Sequence, residues 1–107
     1  MGRPYRIREA SKPPVGMTWE DLDRYVFDQL KQLITLNILL GTGKRLSIPF
    51  NRSYVYFYEL SDHIRDYRIS NRHFELSLQS LREDGLIYKL GNKIIVDKAV
   101  IDANDHD

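Results

Sequence analysis

Apolar residues recur at helical spacing over three stretches of the chain and at strand spacing over four shorter ones. Leu22, Val26, Leu30, Leu33, Ile34 and Ile38 share one face of a long helix. Thr18 is placed to cap it, Glu20, Asp21 and Asp23 put negative charge in its first turn, and Gly41-Thr42-Gly43 ends it. Its other side keeps Tyr25, Phe27, Leu36 and Leu40, more apolar surface than one small core requires, so part of it is expected against a second subunit. Residues 59–68 predict a short helix with Leu60, Ile64 and Tyr67 inward. Phe74, Leu78 and Leu81 then stand at i, i+4 and i+7 on a third helix, capped by Ser70 or Asn71 and closed at Gly85. For strands, residues 46–50 and 54–58 are rich in β-formers around Asn51-Arg52-Ser53 and predict a hairpin, with Pro49 making the first strand an edge or irregular. Residues 86–89 and 93–96 predict a second hairpin through Leu90-Gly91-Asn92, and the strand around 54–57 is expected to pair with it.

The pattern Ser70, Phe74, Leu78, Leu81, Gly85, Leu86 and Ile87, followed by the Gly91-Asn92 tip, resembles the second half of a winged-helix domain: recognition helix, then wing. The order of the whole chain agrees, with a longer connection after the first helix than a compact winged helix needs. The expected class is therefore α+β, a winged helix-turn-helix of three main helices and a small antiparallel sheet, similar to the small MarR-like and PadR-like regulators. The expected organisation is a flexible basic arm (1–17), the winged-helix domain (18–96) and an acidic tail (97–107).

Composition narrows this reading. A chain of 107 residues suits one domain, and the absence of cysteine excludes disulfides and thiolate metal sites and points to an intracellular compartment. The longest apolar run, Ile38-Leu39-Leu40, is far short of the ~20 residues that span a bilayer, so no membrane is expected. The net charge of +1 conceals an asymmetry. Arg3, Arg6, Arg8 and Lys12 oppose only Glu9 at the start, whereas Asp97, Asp102, Asp105 and Asp107 oppose only Lys98 at the end. A basic arm of this kind often contacts nucleic acid.

Opposite Phe74, Leu78 and Leu81, the third helix should present Arg72, Leu76, Gln79, Ser80 and Glu83, with His73 and Glu75 at the flanks. The winged-helix resemblance implies that the N-terminal half of this face, beginning at Ser70 and Asn71, enters the major groove of double-stranded DNA. Arg72 would bond guanine, Gln79 adenine, and Leu76 would touch a thymine methyl, with His73 also reading bases. Lys44, Arg45, Arg52, Lys89 and Lys93 would anchor phosphates, with Asn92 at the wing tip, and Arg3, Arg6 and Arg8 would follow a minor groove as homeodomain arms do. The bland counterparts are a solvated helix face, solubilising lysines and an idle terminus. The alternation of Tyr54, Tyr56 and Tyr58 fits one strand face and favours packing or a subunit contact over base stacking on single strands.

Catalysis finds no pattern. His63, His73 and His106 lie on separate segments without carboxylates at metal-ligand spacing, and no Ser/His/Asp arrangement is suggested. Gly41-Thr42-Gly43-Lys44-Arg45 lacks the first glycine of a phosphate loop and has Arg45 where Ser or Thr belongs. The expectation is a non-enzymatic, cytoplasmic, nucleoid-associated DNA-binding protein without cofactor or metal. It would be a homodimeric transcriptional regulator, its dimer contacts supplied by the first helix and residues 99–103. A plasmid or viral partition or replication protein that spreads on DNA is a second reading. A winged helix serving only contacts with a protein partner, with Leu76 central, is a third.

Overall fold

Thr18 begins the longest helix, α1 (Trp19–Leu39), in the computed structural model, which describes residues 11–40, 44–45 and 52–97. The Thr18 hydroxyl accepts from the Asp21 N–H at 3.1 Å while the Asp21 carboxylate accepts from the Thr18 N–H at 3.2 Å. This reciprocal box satisfies two amides that a helix start leaves without partners. Leu22, Val26, Leu30, Leu33 and Ile34 are buried along one stripe, as their spacing predicts. Ahead of α1, Pro14 is buried, Met17 packs on the core, and the Met17 N–H donates to the Pro14 carbonyl across a turn that holds Gly16 at φ +79°. The arm expected to run free through Met17 is thus folded against the domain from Ser11 onward. Residues 1–10, with Arg3, Arg6 and Arg8, lie outside the described residues.

The strands are β1 (Lys44–Arg45), β2 (Arg52–Tyr56), β3 (Tyr88–Leu90) and β4 (Lys93–Asp97), in the sheet order β1-β2-β4-β3 with every pair antiparallel. The expected pairing of the middle strand with the last hairpin is present, with Tyr54 opposite Ile95 and Val55 opposite Ile94. β1 lies before the stretch expected for the first strand, at 44–45, and residues 46–51 fall outside the described residues. The β3–β4 turn has positive φ at Gly91 and not at Asn92, as a type II′ hairpin requires.

Helix α2 (Phe57–Ile64) starts two residues before its sequence-based boundary, cutting short the strand expected to reach Tyr58. The Glu59 carboxylate accepts from the Tyr56 N–H at 2.9 Å, and the Phe57 N–H donates to the Asn92 carbonyl at 2.9 Å, so a wing-tip oxygen helps to start this helix. It ends four residues early as well, at Arg65, which adopts left-handed φ 45°, ψ 44°. Tyr67, expected inward, is 96% exposed beyond that stop.

Helix α3 (Asn71–Glu83) closes with a Schellman motif: the Leu86 N–H donates to the Leu81 carbonyl and the Gly85 N–H to the Arg82 carbonyl. Gly85 at φ +77° supplies the left-handed step. Leu86 packs on the core, so β3 begins at Tyr88, two residues later than expected. The core gathers α1, α2 and α3 against one sheet face, where Val55, Ile94 and Val96 are fully buried. The result is α+β, with three helices and a small antiparallel sheet among the described residues, a layout compatible with a winged helix.

Candidate nucleic-acid interface

Helix α3 is covered on two sides, and this decides which side chains face solvent. Phe74, Leu78 and Leu81 enter the core as expected, but Leu76 is only 1% exposed, and Ser77 and Ser80 are equally buried. On this flank the Ser77 hydroxyl donates to the Asp23 carboxylate of α1 at 2.8 Å. Two serines on this side let the helix backbones approach closely. Leu76 is therefore unavailable to a thymine methyl, and Ser80 does not belong to the outward face. Glu83 is exposed as expected, with Asn71, while the exposed residues that run as one face along α3 are Arg72, Glu75, Gln79 and Arg82. At about 100° per residue it is turned roughly 60° from the face that the Phe74, Leu78, Leu81 stripe implies.

That face borders a groove of about 260 Å³ between α3 and the β3–β4 hairpin. Phe57, Leu78, Ile87 and Ile94 form its apolar floor, and Arg72, Glu75, Gln79, Arg82 and Lys89 line its polar edge. Three cations face one carboxylate. The Arg72 guanidinium lies 4.0 Å from the Glu75 carboxylate, both well exposed, a loose pair that an incoming anion can replace.

The start of α3 is occupied by structural bonds. The Ser70 hydroxyl accepts from the His73 N–H at 3.2 Å, while His73 Nδ1 accepts from the Ser70 N–H at 3.1 Å. Nδ1 is then the bare nitrogen, and Nε2–H donates to the Lys12 carbonyl at 3.0 Å. The Trp19 ring stands edge-on to His73 at 5.8 Å. With both ring nitrogens engaged, His73 is a cap and a tether for the segment before α1, which removes it from base reading. Ser70 shares that cap, whereas Asn71 is exposed at the first helical position. In the preceding turn, hydrogen bonds from Arg68 hold the Asp66 carboxyl below the usual carboxylate range, and the same contact raises Arg68. The Asp66 oxygens accept from Arg68 N, Nε and Nη2 at 2.9, 3.1 and 2.7 Å, a brace between α2 and α3.

The wing lysines part company. Lys89 lines the groove, while Lys93 lies on the other sheet face with its ammonium 5.0 Å from the Tyr54 ring centre. Asn92 is exposed at the tip, its carbonyl committed to α2. Lys44, Arg45 and Arg52 hold backbone positions on β1 and β2, with Arg52 opposite Asp97. Residues 99–103 fall outside the described residues. Arg82 was missed in the sequence, although it completes an i, i+3, i+7, i+10 stripe with Arg72, Glu75 and Gln79. Leu39 was missed too; it is 79% exposed beside Leu36 and Leu40 at the end of α1.

Among the described residues no group of three His, Cys, Asp or Glu side chains is placed to hold a metal ion, and no helix is long and apolar enough to cross a membrane. Comparison of the chain with protein-family models, curated proteins and solved structures finds no match.

Proposed function

We propose that this chain is a winged-helix protein that binds double-stranded DNA through the groove between α3 and the β3–β4 hairpin, and that it acts as a dimeric transcriptional regulator. The observation that carries the reading is the convergence of Arg72, Arg82 and Lys89 with Gln79 along one edge of that groove. Arg72 and Gln79 have the donors and acceptors for guanine and adenine edges, while Arg82 and Lys89, farther along, suit phosphates. On entry of the duplex, Arg72 exchanges its exposed Glu75 partner for a base or phosphate. Dimerisation would use the end of α1, where Leu36, Leu39 and Leu40 are 45%, 79% and 66% exposed.

The protein-contact reading loses its centre, because Leu76 is buried. The partition or replication reading shares the groove and differs only in how far the protein spreads. Duplex binding measured against salt, followed by footprinting, tests the proposal. Two or three phosphate contacts per protomer, doubled in the dimer, predict a log–log slope of about −4 to −5. Arg72→Ala should relax sequence preference, whereas Lys89→Ala should weaken all sequences alike. Absence of binding at low salt, or unchanged binding in both variants, refutes it. A footprint that grows with protein concentration would assign the spreading role.

A further inference from the structure

The sheet has a second face that the groove does not use. Along β2, Ser53 and Val55 are buried toward the core, so Tyr54 and Tyr56 lie on the opposite face, and Tyr58 follows on the first turn of α2. Their rings form a row: Tyr54 and Tyr56 meet edge-on at 5.8 Å, and Tyr56 and Tyr58 stack at 5.6 Å with planes 9° apart. The strand register extends this surface across the sheet, with Ile95 opposite both Tyr54 and Tyr88, and Lys93 opposite both Tyr56 and Leu90. Ile95 is buried without joining the main core. Tyr58 and Leu90 are each 61% exposed and Tyr88 is 40% exposed, so the rim of the row is open. By register Lys44 pairs with Tyr54 and Arg52 with Asp97, so the rows of this face hold three cationic positions, Lys44, Arg52 and Lys93, and one acidic one, Asp97.

We infer that this aromatic sheet face is a binding surface for single-stranded DNA, whose bases stack on Tyr56 and Tyr58 while Lys93 takes a backbone phosphate. Charge complementarity favours this occupant over a second copy of the chain. A two-fold contact sets the patch against itself, and three cationic positions against one acidic one leave like charge facing like charge. A polynucleotide supplies what the surface lacks, flat apolar rings for the phenols and a negative charge for the ammonium. Leu90 suits the thymine methyl, which favours DNA over RNA. The surface is separate from the α3 groove, so the inference stands whether or not the groove takes duplex.

Fluorescence anisotropy of the full chain with a labelled oligothymidylate about 15 nucleotides long tests it, a length within the usual range of such sites. The expected result is binding at low salt that Tyr58→Ala and Tyr56→Ala each weaken about 5- to 100-fold. Lys93→Ala should lower the magnitude of the salt slope by about 0.7. Tyr58, at the exposed rim, keeps the test decisive if Tyr56→Ala does not fold. The inference is overturned if oligothymidylate does not bind, or if Tyr58→Ala and Lys93→Ala bind it like the parent. Binding of oligouridylate but not oligothymidylate overturns the choice of DNA. A monomer–dimer equilibrium abolished by Tyr58→Ala, with oligothymidylate binding unchanged, assigns the face to a second copy.

Discussion

Leu76→Ala separates the two possible faces of α3 in a single measurement. If Leu76 pointed at DNA, truncating it would leave stability nearly untouched. At 1% exposure it is instead a buried residue on the flank of α3. Removing three buried carbons forfeits about 2.4 kcal/mol of transfer free energy at ~0.8 kcal/mol each. The cavity left behind adds to that, within a usual Leu→Ala range of about 2–5 kcal/mol. The next residue, Ser77, is tied to Asp23 of α1, and Phe74 and Leu78 anchor the helix in the core, so collapse is limited and about 3 kcal/mol is expected. That is a large share of the roughly 5–15 kcal/mol available to a domain. With a urea dependence of about 2 kcal/mol per molar, the unfolding midpoint should fall by about 1.5 M at unchanged slope. Gln79→Ala, on the open face, should stay within about 0.5 kcal/mol of the parent. A loss below about 1 kcal/mol for Leu76→Ala would refute the burial of this flank of α3. Where Leu76→Ala remains folded it should retain salt-dependent duplex binding.

Ser80 Oγ is buried with no hydrogen-bond partner, so Ser80→Ala should stabilise the fold by about 1 kcal/mol, read as a rise in Tm of roughly 4–8 °C. His73→Ala removes the acceptor for the Ser70 N–H and the donor to the Lys12 carbonyl and should cost about 1–2 kcal/mol. Trp19, the one tryptophan of the chain, should report the release of its ring neighbour as a change in fluorescence, and an unchanged spectrum would contradict the tether. The Arg68 hydrogen bonds lower the Asp66 pKa in the folded state, so their contribution is present above the unfolded carboxyl pKa and is lost as pH falls through the lower folded value. Acid titration of stability should therefore steepen below about pH 4; Asp66→Asn should flatten that limb, and Arg68→Lys, which retains a cation, should stay closer to the parent.

What the sequence determined by itself is local. The Thr18 cap with Asp21, the Ser70 start of α3, the Gly85 stop and the Gly91-Asn92 turn each depend on partners within a few residues, and each is legible for that reason. The apolar stripes of α1 and α3 followed from helical periodicity. Helix α2 was misplaced at both ends because its start depends on the Asn92 carbonyl from the wing, and its end on a non-glycine residue in a left-handed conformation. The orientation of the candidate groove was decided only by tertiary structure. One apolar stripe marks one buried side of a helix; it does not show that the flank holding Leu76, Ser77 and Ser80 is buried as well, with Ser77 against a second helix. That contact joins Ser77 to Asp23, 54 residues apart, and His73 to Lys12, 61 apart, is another of the same kind. Strand alternation likewise put the tyrosines on one face, but only the β2–β4 register, and the burial of Ser53 and Val55, turned that face away from the core and set Lys93 beside Tyr54.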